Sequence, residues 1–159
     1  MVLNDAQREM SAGYNGGATG ILVSGLVWLV AGFIARQHGI ASGFTALFFG
    51  GMLIFPLSLM LSRVVFKAPS VSVSNGLNRL AMEGTVMLFA GIIIAYALIK
   101  VQPDMAFPAM ALAMGARYFT FRTLYDEMLY WPLGGLIMLA AGAESLGLAR
   151  LGIGFGLVI

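Results

Sequence analysis

LAMEGTVMLFAGIIIAYALI, residues 80–99, decides the fold. This stretch of twenty residues carries one charge, Glu83, and a helix of that length spans about 30 Å, the thickness of a bilayer's hydrocarbon core. A membrane strand would alternate apolar and polar residues over about ten positions. The run is apolar on every side and therefore reads as a helix. Asn75 or Asn78 can cap its start, and Lys100 closes it with VQPD beyond.

Five similar runs lie around it. The first covers about residues 18–35 and ends at RQHG, 36–39. The second covers about 41–61 and is ended by Arg63, Lys67 and the loop APSVSVSNGLN. The fourth starts near Met105, after Pro103 and Asp104, and turns amphipathic past Gly115. The fifth covers about 129–143 and begins at the YWP of 130–132; the sixth, 146–159, is short. Composition agrees: 60% of the 159 residues are hydrophobic, 10% are charged, and the mean hydropathy is +0.92. Soluble domains carry roughly a quarter charged residues. Nine basic and seven acidic side chains cannot clothe a water-facing bundle of this apolarity.

The expected fold is therefore all-α, a polytopic transmembrane bundle forming one domain over 1–159, with six helices as three hairpins. In a five-helix variant the last segment is re-entrant or interfacial, because 14 residues reach only about 21 Å. Residues 1–17 form a cytoplasmic N-terminal segment. Asp5 and Glu9 stand where a secretory signal would be purely basic, so the first run is a retained helix. Counted by side, Arg8, Arg63, Lys67, Arg79, Arg117 and Arg122 oppose Arg36, Lys100 and Arg150, which puts the N-terminus in the cytoplasm.

Three octads repeat a pattern of two glycines seven residues apart: Gly25 to Gly32, Gly84 to Gly91 and Gly135 to Gly142. Seven residues make about two turns, so each pair shares a helix face and admits a close neighbour. Gly16 with Gly20, Ala111 with Gly115 and Gly152 with Gly156 offer further small-residue contacts.

Few residues can carry chemistry. Glu83 and Arg117 fall at similar depth on antiparallel helices, and charges inside a membrane usually pair and mark function. A structural clamp, or pairing of Glu83 with Arg79 one turn earlier, is the competing reading. The segment ARYFTFRTLYDEMLYWP, 116–132, mixes charge and aromatic rings. Arg117, Phe121 and Tyr125 share one stripe, with Tyr118 and Arg122 on the next. Such a mixture makes either an interfacial belt with snorkelling arginines or a polar vestibule in which Arg117 and Arg122 hold an anion among tyrosines. The candidate polar site is thus Glu83, Arg117, Arg122, Tyr118 and Tyr125. Asn15, Gly16 and Gly17 make a glycine-rich helix start. His38 sits in a tight loop, and Glu144 with Arg150 can pair across the last one.

The chain has no cysteine and one histidine, so no metal, cofactor or catalytic residue is expected, and the chain reads as a non-enzyme. Its basic residues are scattered singly, without a nucleic-acid footprint. Membrane lipid and a second copy of the chain are the expected partners. Function divides between binding or passing a small solute, ion or lipid head group and a non-catalytic structural or regulatory role.

The segments GYNGGATGILVSGLVWLVAG, LAMEGTVMLFAG and FPAMALAMGARYFTFRTLYDEMLYWPLG resemble an uncharacterised family of small bacterial integral membrane proteins. That resemblance implies a multi-pass protein of the bacterial cytoplasmic (inner) membrane and imports no activity. More loosely, the three-hairpin plan is similar to the acid-resistance proteins of the bacterial inner membrane, a likeness of architecture that carries over no residue.

Overall fold

A computed structural model describes residues 2–147. Among these residues every regular element is helical. Five helical bodies follow one another, the first being bent at Asn15–Gly17 into α1 (Leu3–Tyr14) and α2 (Ala18–His38). The others are α3 (Ile40–Val64), α4 (Leu77–Val101), α5 (Ala106–Tyr125) and α6 (Tyr130–Ser145).

Three of the bodies, Leu3–His38, Ile40–Val64 and Leu77–Val101, are long and apolar enough to cross a membrane. The expected six-helix, three-hairpin arrangement is not what the described residues form. The helix at α1 was not expected, α6 has only 16 residues, and α5 carries Arg117 and Arg122 within its length. The sixth run lies outside the described residues from position 148 onward, as do Arg150 and the pair Gly152 and Gly156.

The helices pack up and down: α2 on α3, α4 on α5 and α5 on α6. One end of the bundle therefore collects the starts of α2, α4 and α6, the ends of α3 and α5, and the whole of α1. We call it the α1 end; the α2–α3 turn lies at the other.

Small residues set how closely the helices cross. A Cβ built on Gly43 of α3 would lie 2.7 Å from the Ala31 carbonyl oxygen of α2. At the α5–α6 crossing the contact is reciprocal. A Cβ on Gly115 would lie 2.9 Å from the Gly134 oxygen, and one on Gly134 would lie 2.7 Å from the Gly115 oxygen. The three octads do not share one part. Gly84 and Gly91 both face α5, toward Arg117 and Ala113, whereas Gly25, Gly135 and Gly142 look into open space among the described residues.

Two apolar clusters stack along the bundle. Toward the α2–α3 turn, Ala31, Phe44, Leu47, Ala95, Ala106 and Phe107 join four helices, with Phe107 edge-on to Trp28 at 6.0 Å and to Phe44 at 6.1 Å. At the α1 end, Ala6 and Met10 pack on Leu77 and Leu124. The outward faces are apolar too: Leu29 and Ile93 are each 70% exposed and Phe55 62%. Exposed apolar surface spread over three long helices far exceeds the few hundred Å² that a soluble monomer tolerates in one patch.

Candidate functional site

The polar side chains concentrate at the α1 end, and the break between α1 and α2 organises them. Asn15, Gly16 and Gly17 have φ of 50°, 60° and 81°, and three left-handed residues in a row cannot continue a helix. The bend lays the Gly16 carbonyl against α6, where it accepts the Tyr130 hydroxyl proton. A Cβ on Gly17 would come 2.8 Å from the Tyr125 ring. Below the bend, buried Thr19 and Ser62 share a hydrogen bond of 2.8 Å that ties α2 to α3.

Around Tyr130 the rings of Tyr118, Phe121 and Tyr125 close on one another, with centroids 5.3 to 5.9 Å apart. The cluster draws on both stripes read from the sequence, Phe121 and Tyr125 from one and Tyr118 from the other. Tyr118 and Tyr125 do not wall a vestibule, however; they fill the space with their own rings.

Arg117 lies at the edge of this cluster. Its guanidinium carbon sits 5.1 Å from the centre of the Phe121 ring, and Nη2 donates to the Thr85 hydroxyl at 3.3 Å. Nε is buried without a hydrogen-bond acceptor among the described residues. The side chain packs against Gly84, where a Cβ would lie in ordinary contact, 3.6 Å from both Cγ and Nε. The expected partner is not at hand: Glu83 is exposed and, among the described residues, forms no ion pair with Arg117 or Arg79. Gly84 and Thr85 are the residues of α4 that meet Arg117, and at about 100° per residue the preceding position turns away from α5. Arg122 points elsewhere as well, pairing with Asp126 four residues on. Of the five expected site residues, the structure brings Arg117, Tyr118 and Tyr125 together around Phe121 and leaves Glu83 and Arg122 outside.

Sequence reasoning missed the fastening of α1. The Glu9 carboxylate accepts the Ser72 amide at 2.7 Å, the Ser72 hydroxyl at 3.1 Å and the Asn75 amide group at 2.8 Å. Asn75 also donates to the Ala6 carbonyl at 3.0 Å and accepts from the Leu77 amide at 3.0 Å, so one side chain both satisfies the first amide of α4 and holds α1. Gln7 adds a bond of 2.7 Å to the Thr123 carbonyl. These donors, the Ser72 amide first, hold the Glu9 carboxyl below the usual carboxylate range. A depressed folded value means that this contribution to docking is complete above the usual range and fades as pH falls through the lowered one. Amide exchange across residues 3–14 is expected to accelerate on acidification through that window in the parent chain, and to lose this pH dependence in Glu9→Gln.

At the opposite end, Arg36, Asp104, Phe107, Pro108 and Glu144 line a cavity of about 190 Å³. Glu144 Oε2 is buried there without a hydrogen bond among the described residues. His38 is exposed in the α2–α3 turn. Among the described residues no group of three His, Asp or Glu side chains could hold a metal ion.

Among the described residues these features define an all-helical fold with three helices apolar and long enough to cross a membrane, closed at one end by a docked amphipathic helix and a cluster of tyrosines. The chain belongs to a family of unknown function (DUF7010), which it matches over residues 3–151. Searches of curated proteins and of solved structures gave no match.

Proposed function

We propose that this chain is a non-catalytic, multi-pass protein of a bacterial cytoplasmic membrane that holds an anionic lipid head group in the groove between α4 and α5. Arg117 carries the reading. It lies eight residues before the end of α5, about 12 Å inward at 1.5 Å per residue, and no carboxylate among the described residues pairs with it. A cation at that depth is costly unless it finds a counter-charge or reaches the interface. Its guanidinium lies over Phe121, one turn nearer the α1 end, as a snorkelling arginine does. A lipid phosphate arriving from that end supplies the missing acceptor.

Arg8, Arg63, Lys67 and Arg79 belong to the α1 end, against Arg36 and Lys100 at the other. Positive residues favour the cytoplasmic side, so the α1 end faces the cytoplasm and its anionic lipids. One cavity lies at the Arg36 end and another at the α1 end, between α2 and α6, and neither includes Glu83 or Arg117. That arrangement favours a lipid-contacting role over passage of a solute through the bundle.

The test is lipid retention. In native mass spectrometry of detergent-purified protein, Arg117→Gln is expected to weaken binding of phosphatidylglycerol by about tenfold, the worth of a hydrogen bond to a charged group, with the helical content unchanged. Equal retention by the variant contradicts the proposal and leaves Arg117 a structural clamp on Phe121 and Thr85.

A further inference from the structure

A second cavity, of about 220 Å³, opens between the first turns of α2 and α6, with Ile21, Leu129 and Leu133 as apolar walls and Asn15, Glu127 and Tyr130 as its polar side. Its chemistry differs from that of the Arg117 groove, because the charge it presents is negative. Glu127 is exposed, and its carboxylate has neither an ion pair nor a hydrogen bond among the described residues. A glycine in a conformation other residues rarely adopt lines the cavity beside that carboxylate. Gly16 has φ +60°, and a Cβ there would stand 3.7 Å from Glu127 Oε1. Tyr130 is locked as a wall by its hydrogen bond to the Gly16 carbonyl.

A carboxylate, an aromatic ring and apolar walls together suit an organic ammonium group. They do not suit a hard metal cation, which needs six or more oxygen ligands. The rim says where such a cation comes from. Met128, Leu129 and Trp131 are 71%, 75% and 61% exposed, and an apolar rim with a tryptophan fits the interfacial belt of a membrane. We infer that this cleft seats the ammonium of an amine-bearing zwitterionic lipid against Glu127 and Tyr130, with the acyl chains leaving along Ile21, Leu129 and Leu133. The buried Asn15 amide nitrogen, which has no acceptor among the described residues, is the donor beside the cleft for the lipid's phosphate. This inference stands on Glu127 and is independent of the Arg117 reading.

The experiment uses the full chain, delipidated in detergent and titrated with phosphatidylethanolamine and with phosphatidylglycerol while bound lipid is counted by native mass spectrometry. Phosphatidylethanolamine binding is expected to fall about threefold or more in Glu127→Gln, the scale of one carboxylate and one ring acting on an ammonium, with phosphatidylglycerol binding not reduced. Arg117→Gln should leave phosphatidylethanolamine binding in place, and Leu133→Trp, which fills the cleft without changing charge, should lower it. Phosphatidylethanolamine binding that Glu127→Gln leaves unchanged overturns the inference. Competition by free phosphoethanolamine as strong as by the lipid overturns the lipid as its source.

Discussion

Gly134→Ala is expected to destabilise the α5–α6 pair by about 1–3 kcal/mol, the usual cost of forcing a methyl group into a filled contact. The added carbon would meet the Gly115 carbonyl oxygen at 2.7 Å and Tyr118 Cβ at 3.3 Å. Both belong to rigid parts of α5, so neither can turn aside and the two helices must separate. Separation exposes the Tyr118, Phe121 and Tyr130 cluster, and the loss therefore extends beyond the glycine itself. The control is the next residue: a Cβ on Gly135 meets nothing within 4 Å among the described residues, so Gly135→Ala should be near neutral. Thermal unfolding in detergent, followed by circular dichroism, separates the two variants.

Removing Asn75 is expected to have an effect of similar size through a different cause. The side chain is 2% exposed and makes three hydrogen bonds, to Ala6, Glu9 and Leu77. In Asn75→Ala the Leu77 amide loses its acceptor in a buried setting, at about 1–3 kcal/mol for a group left unsatisfied, and the Ala6 carbonyl and the Glu9 carboxylate each lose a donor from α4's start. Helix α1 then keeps its apolar contacts with Leu77 and Leu124 but loses its link to the start of α4. Hydrogen exchange should rise across Leu3–Tyr14 while the middle of α4 stays protected. Neighbouring Ser74 is exposed, and Ser74→Ala should leave exchange unchanged.

The apolar runs were legible because unbroken apolarity over about twenty residues reads as a long helix. Leu77–Val101 contains the run read at 80–99, Ala18–His38 the one read at 18–35, and Ile40–Val64 the one read at 41–61. Helix α1 left no such trace, being short and polar, and what fastens it is a set of bonds from Glu9 to residues more than sixty positions away. Depth was legible and direction was not. Counting residues from the helix ends correctly put Glu83 and Arg117 at one level, but a single position along α4 decides whether a side chain meets α5 or turns outward. The tyrosines of 116–132 were visible as a patch. That they close on one another, with Tyr130 tied to the bend at Gly16, depends on a break whose three left-handed residues read in the sequence only as a glycine-rich helix start.

Lipid cover on the exposed apolar faces of the long helices can be measured directly. The chain lacks cysteine, so single spin labels can be placed without background at Leu29→Cys, Phe55→Cys and Ile93→Cys, with Val73→Cys in the loop before α4 as the water-exposed reference. After reconstitution into liposomes, the first three labels should relax strongly with dissolved oxygen and weakly with a water-soluble nickel chelate, and the reference should do the reverse. Strong relaxation by the nickel chelate at all three helix positions would contradict the account.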